Sequence, residues 1–285
     1  IHTDTYNHTT TINGNMTTIV TEERRKILPV TLLSGFLGAG KTTLLKHVLE
    51  TKHKNNEQFR AAVIVNDMAE LNIDKDLIDR SSLVQSDEVI AMQNGCVCCT
   101  LKNDLVDQIT SLALKDTFDY MIIEASGISE PSQIAPIFKN CDLSHNHEKE
   151  HLIKPQLSDY ARLDTCVTVV DANDFFNNFE AVRDGDNEKF PSLLVEQIEH
   201  ANIVILNKSD LVDKEQMQKV REHVLVLNHN AKIIIAKNSA IDVMNVLDTK
   251  LYNFDDFKKL SFETIIPDIM MKECCKAATS RGESA

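Results

Sequence analysis

Positive charge is scarce in this sequence: 30 Lys and Arg stand against 43 Asp and Glu in 285 residues, a formal net charge of -13. Phosphate backbones and anionic membrane surfaces are held by clustered basic side chains, so neither nucleic acid nor membrane is an expected partner. No apolar run approaches the roughly 20 residues that span a bilayer, and the N-terminus lacks the charged-then-apolar pattern of a secretory leader. The chain therefore reads as cytoplasmic. An evenly spaced cysteine framework is missing too. The seven cysteines are an odd number, and three crowd into NGCVCC (94–99), which fits reduced thiols awaiting a metal better than disulfides.

What is present is enough apolar material, 42% of residues, for one sizeable core. Residues 1–26, rich in Thr and Asn, show no sustained periodicity and read as a flexible tail. From residue 27 onward seven β-branched runs alternate with helical patterns: LPVTLLS, AAVIVND, EVIAMQ, DYMIIEA, CVTVVDA, NIVILNK and AKIIIA. Helices are predicted over 41–52, 101–114, 192–201, 214–227 and 241–247. Strands that are apolar throughout belong to a parallel sheet covered on both faces, so the expected fold is α/β, a mainly parallel sheet sandwiched by helices. Ligands of such sheets bind beyond the carboxyl ends of the strands. The main domain is expected over 27–250. A charged, histidine-bearing insertion is expected over 141–156, and a C-terminal extension that reads as the start of a second domain over 251–285.

LLSGFLGAGKTTLL (32–45) contains GxxxxGK(S/T) between a predicted strand and a predicted helix. Gly35, Gly38, Ala39 and Gly40 would let backbone amides converge on phosphate oxygens, at a helix N-terminus that adds partial positive charge. Lys41 would bridge the outer phosphates, Thr42 would ligate magnesium through its hydroxyl, and Thr43 would complete the nucleotide contacts. The motif otherwise needs a carboxylate at a strand end. Glu124 in DYMIIEASG supplies one, with Gly127 suited to offer an amide near a γ-phosphate. Asp67 and Glu70 leave another strand end and read equally well as a switch or as a solvated acidic loop. In ILNKSDLV, Asp210 would accept both hydrogens of guanine N1 and N2, which adenine cannot offer. Lys208 would lay its stem on the base, and Asn238 or Ser239 would lie beside it.

Cys96, Cys98 and Cys99 can present three soft thiolates and leave a fourth metal position open, as suits an ion that must later leave. A redox-active or merely buried set is the bland alternative. His145, His147 and His151 read more readily as a polar loop than as ligands. Cys274 and Cys275 read as incidental, and His200 as a surface or cap residue.

Taken in order, GFLGAGKTTLL, VNDMAELNID, NGCVCCTL, IIEASGISEP and NKSD closely resemble the CobW family of P-loop GTPases, from about residue 29 to 260. The resemblance implies a P-loop NTPase fold of the SIMIBI GTPase type, and a GTPase that is slow without a partner. It also implies handling of a transition metal, most often zinc, passed to a client protein. By motif matching it carries over Cys96, Cys98 and Cys99 as metal ligands. Lys41, Thr42 and Glu124 become catalytic and magnesium contacts, and Asn207 with Asp210 become guanine contacts, while Glu70 is a candidate to complete the metal site. The implied cofactors are GTP, Mg2+ and Zn2+. The implied partners are GTP or GDP and a client metalloprotein, with homo-oligomerisation compatible. An ATP-dependent small-molecule kinase and a non-enzymatic metal-storage or sensing protein are the competing readings.

Overall fold

The computed structural model describes residues 5–12, 16–23, 26–55, 59–65, 88–91, 101–139, 156–180 and 189–260. All seven expected strands form. They are Leu28–Gly35 (β3), Ala61–Val65 (β4), Glu88–Ala91 (β5), Tyr120–Glu124 (β6), Ala161–Asp171 (β7), Ile203–Asn207 (β8) and Lys232–Ile235 (β9). They assemble in the order β5-β4-β6-β3-β7-β8-β9, every pairing parallel. The strand that carries the phosphate-loop motif is thus the central one. Every residue of β3, β4, β6 and β8 is buried, as expected of strands covered on both faces.

The period-2 alternation of side chains divides the core in two. Ile203 and Ile205 join one cluster with Leu44, Leu45, Val48 and Leu49 of helix Lys41–Asn55 (α1). Val204 and Leu206 point the other way, into a cluster with Leu194, Ile198, Val220 and Val224. These four come from helices Lys189–Glu199 and Lys214–Leu227.

The helices over 101–114 and 214–227 have their expected bounds. Asp213 caps the second by accepting the Gln216 N–H at 2.7 Å. Helix 189–199 begins three residues before its expected start, because Pro191 falls in the first turn, where its missing N–H costs nothing. The helix expected over 241–247 shrinks to a 3-10 turn, Val243–Asn245. There Asp242 caps the turn by accepting the Met244 N–H, and the Thr31 hydroxyl donates to the Val246 carbonyl, taking an acceptor that a longer helix would use.

The tail departs from expectation as well. Thr5–Ile12 (β1) pairs antiparallel with Met16–Glu23 (β2) as a separate two-stranded sheet. Its Thr, Ile and Val residues favour extended backbone, and the Asn13-Gly14 dipeptide between the strands is a hairpin signal. The chain divides into two compact units, Ile1–Tyr252 and Asn253–Ala285. In the second, Asn253 accepts the Asp255 N–H at 2.9 Å and so caps a helix at Phe254–Leu260.

Candidate functional site

Three loops meet at the carboxyl end of the sheet. The first leaves β3 through Gly35 and reaches α1 through the turn at Leu37 and Gly38. Ala39 is fully buried and donates its N–H to the Phe36 carbonyl at 3.2 Å. Gly40 has φ 108°, and a Cβ there would run into the Asn207 amide and lie 2.9 Å from Ser239 Oγ. Only glycine meets both the backbone angle and the space. Lys41, the first residue of α1, is 2% exposed, and its Nζ donates to the Phe36 carbonyl at 3.1 Å, turned back onto its own loop. Thr43 is exposed.

The second loop follows β6. Glu124 ends that strand with no exposure, and Thr42 Oγ1 donates to its Oε1 at 2.6 Å. The Ala125 N–H continues the sheet by donating to the Leu33 carbonyl at 2.9 Å. Gly127 then passes so close to the first loop that a Cβ would sit 2.7 Å from Leu37 N. The adjoining hydroxyl and carboxylate are hard oxygen donors of the type that suits magnesium, so these residues fit that ion.

The third loop follows β8. Asn207, 2% exposed, donates from Nδ2 to the Ala39 carbonyl at 2.9 Å and accepts the Ser239 N–H at Oδ1, 2.8 Å. Ser239 is fully buried and donates Oγ to the Gly40 carbonyl at 3.0 Å, whereas Asn238 is exposed. One asparagine therefore ties the phosphate loop to the segment after β9. Lys208 adopts a left-handed φ of 58°, and its ammonium lies 2.5 Å from Asp171 Oδ2. Asp210 keeps a partly exposed carboxylate, 3.7 Å from the Lys237 ammonium.

Sequence reasoning missed two contributors. Asp171 ends the buried strand β7 much as Glu124 ends β6, a signal that was there to be read. Gln197 is fully buried in the helix over 189–199 and reaches the second loop, donating from Nε2 to the Ser129 carbonyl at 3.1 Å. Nothing in its helical context marks it.

The predicted metal ligands Cys96, Cys98, Cys99 and Glu70 lie outside the described residues, as do Asp67, His145, His147, His151, Cys274 and Cys275. Among the described residues no cluster of three or more His, Cys, Asp or Glu side chains is placed to hold a metal ion. Cys166 is a buried thiol whose pKa burial pushes far up. His200 is buried, not superficial, and caps the helix that ends at Glu199 by donating its N–H to the Glu196 carbonyl at 3.1 Å; its Nδ1 lies 3.0 Å from the same carbonyl, and burial lowers its pKa. No helix among the described residues is long and apolar enough to cross a membrane.

The family model described as CobW/HypB/UreG, nucleotide-binding domain, matches residues 29–235. A zinc-regulated GTPase metalloprotein activator 1 of Dictyostelium discoideum is 39% identical over 253 residues, 82% of this chain and 50% of that protein. Its namesake in Schizosaccharomyces pombe is 32% identical, over 82% of this chain and 52% of that one. A zinc chaperone CobW of Pseudomonas aeruginosa is 34% identical, over 69% of this chain and 53% of that one. The chain spans about half the length of these relatives.

Proposed function

Because this chain belongs to the family of CobW/HypB/UreG nucleotide-binding domains, we propose that it binds and hydrolyses GTP and couples that cycle to the transfer of zinc to a client metalloprotein. The observation that carries the reading is the Asn207 bridge, which joins the phosphate loop at Ala39 to Ser239 of the segment after β9, whose Lys237 lies beside Asp210. A nucleotide lying along that bridge would meet phosphate-binding amides at one end and the Asp210 carboxylate at the other.

In this reading, Lys41 leaves the Phe36 carbonyl for the outer phosphates, and Asp210 accepts the guanine N–H pair. Thr42 and Glu124 would hold magnesium, which supplies charge neutralisation of the phosphate oxygens when bound. Gly127 would offer its amide to the γ-phosphate. No side chain among these stands out as a catalytic base, so turnover is slow until a client completes the site. Cys96, Cys98 and Cys99 would hold zinc as cargo. The segment from Asp67 to Glu70 would relay nucleotide state to them, with a coupling of about 1–3 kcal/mol.

The test is competition of ATP against GTP, together with zinc titration with and without magnesium and a nonhydrolysable GTP analogue. GTP should bind at least about 100-fold more tightly than ATP, and Asp210→Asn should remove most of that preference. Zinc affinity should change between the two nucleotide states. Equal GTP and ATP binding would return the kinase reading, and zinc binding without phosphate release would return the storage reading.

A further inference from the structure

We propose that Gln197 is a positioning residue for the segment Gly127–Ser129, holding it where it can distinguish a nucleoside triphosphate from a diphosphate. The inference rests on the reading of Gly127 as a γ-phosphate contact.

Gln197 touches both sides of the site. Its Nε2 donates to the Ser129 carbonyl at 3.1 Å and to the Gly127 carbonyl at 3.5 Å. Its own backbone carbonyl accepts the Thr168 hydroxyl at 2.6 Å, and Thr168 pairs with Ser34 Oγ at 2.9 Å, one residue before Gly35. One helix residue thus links, through Thr168, the strand that feeds the phosphate loop to the loop after Glu124. The next residue back, Glu196, accepts the Ser132 N–H at 3.0 Å and anchors the far end of the same segment.

The chemistry of the choice is informative. Gln197 has no exposure, and among the described residues its Oε1 accepts no hydrogen bond. A buried amide oxygen without a donor costs the desolvation of that group, whereas a methionine or leucine would fill similar space without it. What the glutamine alone supplies is the pair of donor contacts to Gly127 and Ser129. Those contacts pin the segment from behind, while its front lies against Leu37, where no Cβ fits. Ile128, between the pinned residues, is 59% exposed, so the pinned stretch forms the outward tip of the loop.

Gln197→Met keeps the volume and removes the donors. It should slow single-turnover GTP hydrolysis by about tenfold and lower the affinity ratio of a nonhydrolysable GTP analogue over GDP by about five- to tenfold. GDP affinity should stay within about twofold, a split that a merely structural role would not produce. Gln197→Glu, which sets a carboxylate against the two carbonyls, should show the same loss of selectivity and serves if the methionine variant does not fold. Glu196→Gln keeps an acceptor for Ser132 and should leave the ratio unchanged. An unchanged ratio in both Gln197 variants, or equal weakening of GDP and the analogue, would overturn the inference. Wild-type protein that binds no GTP would instead overturn the parent reading.

Discussion

At the carboxyl end of the sheet, polar side chains bond to backbone: Asn207 and Ser239 reach across to other loops, Asn207 to Ala39 and Ser239 and Ser239 to Gly40, while Lys41 turns back to Phe36 of its own loop. At the amino end, most of the bonding is between side chains. Asp164 has no exposure and accepts from Tyr120 OH (2.9 Å), Thr165 Oγ1 (2.8 Å), Arg162 Nη1 (2.7 Å) and the Thr249 N–H (2.8 Å). Both ends bury a charge, but only the second surrounds it. Asp164 is an anion with its acceptor sites filled, whereas Lys41 is a cation held, among the described residues, by one carbonyl. The first end fixes the shape of its loops and holds its charge in reserve; the second closes on itself and staples the segment 246–252 to the sheet.

The sharpest way to break this comparison is Lys41→Ala. Loss of the ammonium should cut phosphate release by at least about 100-fold, while the melting temperature holds or rises, because a thinly partnered buried charge is gone. Asp164→Asn should do the reverse. It should leave hydrolysis per folded molecule unchanged and cost about 2–4 kcal/mol in urea denaturation at pH 7, because the amide disrupts a network built around an anion. The pH dependence follows from the direction of its pKa. Burial alone would raise the Asp164 carboxyl, but bonds from Thr165, Arg162 and Tyr120 pull it below the usual value. Its contribution is therefore present above the unfolded pKa near 3.9 and lost as pH falls through the folded one, so the penalty of Asp164→Asn should shrink in acid.

The smallest expected effect is at Glu199, whose carboxyl is pushed up to about 7 by burial and then by the charge of Glu196. A raised carboxyl destabilises the fold progressively as pH climbs from about 4.5 toward 7, since the unfolded chain ionises first. Glu199→Gln should thus stabilise by about 1 kcal/mol at pH 8, discounted for its partial exposure, and be neutral at pH 4. A gain that persists in acid would trace the effect to packing, not charge.

Much of the fold was legible because burial on both faces leaves a strand few polar positions: β4 is apolar throughout, β6 and β8 stay free of polar side chains other than Tyr120 until their last residue, and β3 is broken only by Thr31 and Ser34 before its closing glycine. That Thr42 and Glu124 would lie near each other was legible, because each sits at a position the phosphate loop or a strand end dictates; their magnesium role belongs to the proposal. The rest depends on tertiary pairing. Asp164 meets Tyr120 and Thr249 across 44 and 85 positions, and no local pattern announces either. The β1–β2 hairpin was hidden because threonines read as polar composition before they read as extended backbone. Asn207 looked like part of a base-reading motif, and its two bonds to Ala39 and Ser239 appear only once the loops are folded together.

On the proposed GTP reading, for anyone wishing to rebuild this protein for a different base, that last feature divides the NKSD motif into a hinge pin and a reader. Position 210 presents a carboxylate outward and is open to redesign. Position 207 is hardware: its amide sets the spacing between two loops, and any replacement would misalign the cradle before the new letter could be read.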